Sequence, residues 1–193
     1  MPGDLGGMTD AIIVSDRGNV FESLFSGLGR TCMQVTPGAL GSPYCPPCRL
    51  LIIPSGFADP KYYKVLSAIE RNADRIRAFI EAGGVVLAFG AMLEDYTYDW
   101  LPVKLSYHMK FKEADVKLVD PSDPAASLVD PGRLDCDGYF TEWDGNVVMV
   151  REEGRPVLVS KKVGKGHVIA SALHQWPSEN FIRWATTGES LNI

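Results

Sequence analysis

The run Phe79-Ile80-Glu81-Ala82-Gly83-Gly84-Val85-Val86-Leu87-Ala88-Phe89-Gly90 decides the fold class. Its first part ends a helical repeat, because Val65, Ile69, Ile76 and Ile80 recur on one face of a helix predicted over about Lys61 to Ala82. Gly83-Gly84 stops that helix. Val85 to Phe89 is then a continuous apolar run, as expected of a strand buried on both faces.

The same grammar holds upstream. Leu50-Leu51-Ile52-Ile53 is a second such strand, ended by the turn Pro54-Ser55-Gly56. Asp10–Ser15 and Cys32–Val35 read as strands on either side of a short helix over Phe21 to Leu28, and Thr36–Pro47 is a Pro- and Gly-rich loop. Strands alternating with helices predict an α/β fold of flavodoxin-like type: a three-layer sandwich with a mostly parallel central sheet and helices on both faces. Downstream of Tyr96 the character changes. A turn-rich stretch from Asp120 to Gly132 precedes three short strands, Asn146–Val150, Pro156–Lys161 and His167–Ala172. Glu153-Gly154-Arg155 and Gly164-Lys165-Gly166 join them as hairpin turns, giving an antiparallel β extension in the C-terminal half. A helix over Pro177 to Ala185 closes the chain. One domain over 1–193 is expected, with 1–9 and 187–193 as flexible ends.

Composition narrows the function classes. The 193 residues are 46% hydrophobic and 22% charged, with a formal net charge of −5. Such a chain folds around a core, and its charge argues against nucleic acid or an anionic membrane as partner. No apolar run reaches membrane-spanning length and no leader pattern opens the chain, so a cytoplasmic location is expected. The aromatic stretch Tyr96, Tyr98, Trp100 and Leu101 is a candidate surface for a homodimer.

Five segments in order resemble the class I glutamine amidotransferase-like family, in the branch of biotin-protein-ligase N-terminal-like and ThuA-like proteins. They are Leu51–Gly56, Phe79–Gly90, Cys136-Asp137-Gly138-Tyr139-Phe140, Pro156–Val159 with Gly164–Ser171, and Leu173-His174-Gln175-Trp176-Pro177. The resemblance covers about residues 10–185. It implies a cysteine nucleophile on the turn after the Gly-Gly strand, a histidine after the last strand, an acid two residues beyond it, and oxyanion donors from the Pro-Ser-Gly turn.

The chain departs from that pattern. Gly90 stands at the nucleophile position, with Phe89 and Ala91 at a slip of one, and Trp176 stands where the acid belongs. His174 matches. The leading expectation is therefore a non-catalytic member that binds a small polar ligand or a protein partner, with Ser55, Gly56, Gly90, Ala91, Glu94, Tyr139 and His174 as binding residues and Glu142 nearby. The alternative is a hydrolase on a small amide or sugar-like substrate, using His174 with Glu94, Asp95 or a metal. An open polar pocket favours the enzyme; closure by Phe57, Phe89, Met92 and Trp176 favours a purely structural module. Cys45-Pro46-Pro47-Cys48 offers a third chemistry, a redox pair or half a metal site, in a loop that lacks the helix N-terminus such a pair uses. A site of His108, His167 and His174 is a further metal possibility. No cofactor motif is present, and none is expected.

Overall fold

A computed structural model describes residues 7–193. Strands β1 (Ala11–Val14), β2 (Cys32–Val35), β3 (Leu50–Ile53) and β4 (Val85–Phe89) alternate with helices α1 (Glu22–Gly27), α2 (Leu66–Arg71) and α3 (Ala73–Ala82). Every residue of β1, β3 and β4 is buried, which is why these runs carry no polar alternation. Strand β10 (Gly166–Ser171) joins them parallel to β4, so the parallel part reads β2-β1-β3-β4-β10. That is the strand order of flavodoxin-like folds.

The sheet continues antiparallel through β9 (Arg155–Val163), β8 (Asn146–Arg151), β6 (Leu105–Leu118) and β5 (Asp95–Thr97). A long strand β7 (Gly132–Trp143) pairs with β6 off this path, and α4 (Glu179–Ala185) follows β10. The α/β class and the antiparallel extension are as expected. The extension is larger than the sequence suggested, because β6 and β7 mix buried and exposed residues and no apolar run announces them.

One further expectation needs correcting. The long helix over Lys61 to Ala82 begins later and is two helices, broken at Asn72. There the side-chain amide donates to the Ala68 carbonyl (2.9 Å) and the backbone leaves helical geometry. Toward the ends of the described residues, Thr9 is buried and its N–H donates to the Pro47 carbonyl, while Leu191 exchanges two backbone hydrogen bonds with Cys48 (2.7 and 3.0 Å) and Ile193 is buried. Residues 1–6, part of the predicted flexible start, lie outside the described residues. In the stretch expected as a homodimer surface, Tyr98, Trp100 and Leu101 are buried, and Tyr96, Tyr98 and Trp100 pack around Phe57. No helix among the described residues is long and apolar enough to cross a membrane.

Candidate functional site

Parallel strands end on one side of a sheet, and ligands of open α/β folds bind there. The segments after β3, β4 and β10 deliver Ser55, Gly90 and His174 to that side. Strand β7 adds a fourth contribution. It runs against the segment after β10: the Asp137 N–H donates to the Ala172 carbonyl and the His174 N–H to the Asp135 carbonyl, both at 2.8 Å. This seats the Asp137 side chain beneath the cleft, 1% exposed.

Asp137 organises the polar end. Its Oδ2 accepts the Ser55 hydroxyl (2.8 Å) and its Oδ1 lies 3.0 Å from His174 Nδ1. Burial pushes its pKa above the ordinary carboxylate value, and Ser55 and His174 oppose that rise. A carboxylate on Nδ1 selects the tautomer with hydrogen on that nitrogen. Nε2 is then an acceptor without a protein partner among the described residues, on a side chain 60% exposed. Because the serine bonds the aspartate and not the imidazole, this is not the relay that activates a serine nucleophile.

A side chain at Gly90 would be crowded. A Cβ at Gly90 would stand 3.1 Å from the Tyr107 hydroxyl and 3.3 Å from Asp137 Oδ2. Tyr107 is 1% exposed and its hydroxyl lacks a hydrogen-bond partner; burial, then the Asp137 charge, push its ionisation upward, so it stays a neutral phenol. The expected oxyanion donor is also committed, since the Gly56 N–H donates to the Gly90 carbonyl at 2.8 Å. The left-handed backbone of the following turn falls on Met92 (φ 59°), two residues beyond Gly90.

Above this polar floor lies a cavity of about 310 Å³, lined by Val20, Phe21, Pro54, Ser55, Tyr63, Phe89, Leu173, His174, Gln175 and Trp176. Phe21 stacks near Phe89 (16° between planes) and meets the edge of Trp176 at 5.1 Å. The cleft is open. Phe57 lies elsewhere in the core, and Trp176 stands at the rim, 57% exposed.

Among the predicted residues, Ser55 and His174 line the cavity, Gly56 and Gly90 support it through backbone, and Ala91 is buried behind it. Glu94 is exposed; what it contributes to the fold is its carbonyl, which accepts the Met109 N–H. Asp95 bonds His108 Nδ1 (2.9 Å), and Glu142 pairs with Lys104 (2.7 Å). Tyr139 lies under the guanidinium groups of Arg151 and Arg155. The polypeptide leads Glu94 and Asp95 away into β5, so neither serves His174. The sequence reading missed Asp137 and Tyr107 as site residues. Asp137 did lie in a quoted segment, between Cys136 and Gly138, but no spacing ties it to His174.

The metal and redox readings find little support. His108 bonds Asp95, His167 packs against Trp184 and His174 bonds Asp137, each in a different place. Among the described residues no group of three or more His, Cys, Asp or Glu side chains is placed to hold a metal. Cys45 and Cys48 are buried free thiols, both made less acidic by burial.

No known family matches this chain, and no curated protein is similar to it in sequence. Solved structures are similar in fold. PurLQS from Thermotoga maritima superposes with a TM-score of 0.60 at 16% identity, over 93% of this chain and 98% of that one. A polyextremophilic β-galactosidase from the haloarchaeon Halorubrum lacusprofundi gives 0.56 at 16% identity, over 93% of this chain. Here the chain spans only 30% of the length of its relative. A cytoplasmic protein from Salmonella typhimurium gives 0.51 at 13% identity, covering 97% of that chain.

Proposed function

We propose that this chain is a non-catalytic protein of the class I glutamine amidotransferase-like type, whose cleft binds a small ligand through His174. One observation carries the reading: a side chain at Gly90 would press on the Tyr107 hydroxyl at 3.1 Å and on the Asp137 carboxylate at 3.3 Å, closer than ordinary contact. A thiolate there would crowd a buried phenol and face a buried carboxylate, which disfavours its charge. The histidine remains, held for hydrogen bonding, beside a cavity of ligand size. The fold likeness to PurLQS, along 98% of that chain, supports the amidotransferase-like type. We place it in the cytoplasm.

Asp137 gives the hydrolase alternative one specific support, because a carboxylate 3.0 Å from Nδ1 is also how a general-base histidine is oriented. The likeness to a β-galactosidase adds little, as it covers 30% of that chain. Ammonia release from glutamine and small amides, and hydrolysis of aryl glycosides, separate the readings. The proposal expects no turnover by wild type. It also expects Gly90→Cys to react with an electrophilic glutamine analogue only when Tyr107→Phe makes room. Turnover by wild type that is lost in His174→Ala overturns it in favour of the hydrolase.

A further inference from the structure

We infer that the cleft takes a planar aromatic molecule with one hydrogen-bond donor, of the phenol or indole class, its donor directed at His174 Nε2. This rests on the ligand-binding reading above and names the ligand class.

The cavity walls select the body of the ligand. Phe21 and Phe89 line one wall, both largely buried with nearly parallel rings 6.3 Å apart, and the Trp176 indole stands at the rim with more than half its surface in water. An exposed tryptophan beside a vacant apolar slot gains burial and ring contacts when a flat molecule enters. A volume of about 310 Å³ is at the small end for ligand sites and suits one or two fused rings.

The polar floor selects the rest. Besides the Tyr63 phenol and the Trp176 indole N–H, only Ser55, His174 and Gln175 among the lining residues carry hydrogen-bonding side chains. The Ser55 hydrogen is already given to Asp137. A monosaccharide would bring several hydroxyls into a site that pairs few of them, and unpaired buried groups weaken binding. No lysine or arginine lines the cavity, and the Asp137 carboxylate lies beneath it, so phosphates and carboxylates find no countercharge. The fixed tautomer leaves one acceptor, Nε2, which matches one N–H or O–H on the ligand.

The test titrates the intact protein with indole, 1-methylindole, phenol and anisole, and with galactose and glutamine, by NMR observing the Trp176 and His174 side chains. Indole and phenol should bind, shift both side chains, and exceed their methylated counterparts by about tenfold, one hydrogen bond's worth. His174→Ala should erase that tenfold preference while retaining weak ring binding; Trp176→Ala should weaken all aromatics alike. Equal binding of methylated and parent compounds overturns the inference, as does preference for galactose or glutamine, though both leave a ligand-binding cleft standing. Absence of any binding overturns it as well. The non-catalytic reading falls separately, by wild-type turnover.

Discussion

His174 Nδ1 stands 3.0 Å from Asp137 Oδ1, across 37 residues of sequence. The acid beside this histidine comes from another strand, β7, and not from the residues that follow it in sequence. Backbone pairing between β7 and the segment after β10 makes this possible: it carries Asp137 under His174 and buries it. The result orients an imidazole without building a nucleophile.

Asp137→Asn tests that orientation. The buried carboxylate is less acidic in the fold than in the unfolded chain, so its ionised form opposes folding. That opposition is full above the folded value and fades as pH falls through it toward the ordinary value of 3.8. Asp137→Asn should therefore melt within about 1 kcal/mol of wild type at neutral pH and lose part of the acid-side pH dependence. Binding in the cleft should weaken about tenfold, because an amide no longer enforces the tautomer. Unfolding of the variant, or undiminished binding, contradicts the assignment.

Gly138→Ala probes the packing beside it. An added Cβ would run into the His108 carbonyl and the Tyr107 ring, both on the neighbouring strand β6. Because backbone yields poorly, the loss should reach about 3 kcal/mol, the upper range for overpacking. Chemical denaturation measures it; a loss under about 0.5 kcal/mol would show that β6 and β7 are not packed as described.

The cysteines should be silent in the native state. Burial raises the Cys32 thiol to about 12 and raises Cys45 and Cys48 as well, leaving almost no thiolate at neutral pH. Iodoacetamide should label none of these three until denaturant is added. Rapid native labelling of Cys45 or Cys48, followed by mass spectrometry, would revive a redox role.

His167 sets a second pH dependence. Its partial burial against Trp184 lowers its proton affinity below the ordinary value of 6.5. Between the folded value and 6.5 the unfolded chain binds more protons, so stability is full above 6.5 and is lost as pH falls through the folded value. His167→Gln should flatten the fall in melting temperature on acidification through that window. An unchanged slope would assign the effect to other groups.

How much of this was legible follows from burial. β1, β3 and β4 are buried on both faces, so their sequences had to be apolar runs. β6 and β7 expose much of their length to water, and their residues satisfy pairing without a hydrophobic pattern. Ser55, Gly90 and His174 were found because each directly follows an apolar strand. Glu94 and Asp95 were chosen for nearness in sequence to Gly90, and the turn at Met92 sends them into β5 instead.

The sequence by itself determined that this chain forms an α/β sheet, that a glycine follows β4, and that a histidine follows the last parallel strand. These are local properties of apolar runs, turn glycines and residue identity. Only the tertiary structure decided which acid serves the histidine, what crowds the space above Gly90, and that the cleft is walled by aromatic rings. Asp137, Tyr107, Phe21 and Trp176 reach the site through antiparallel pairing and loop packing, and contacts of that range leave no fixed spacing in the chain.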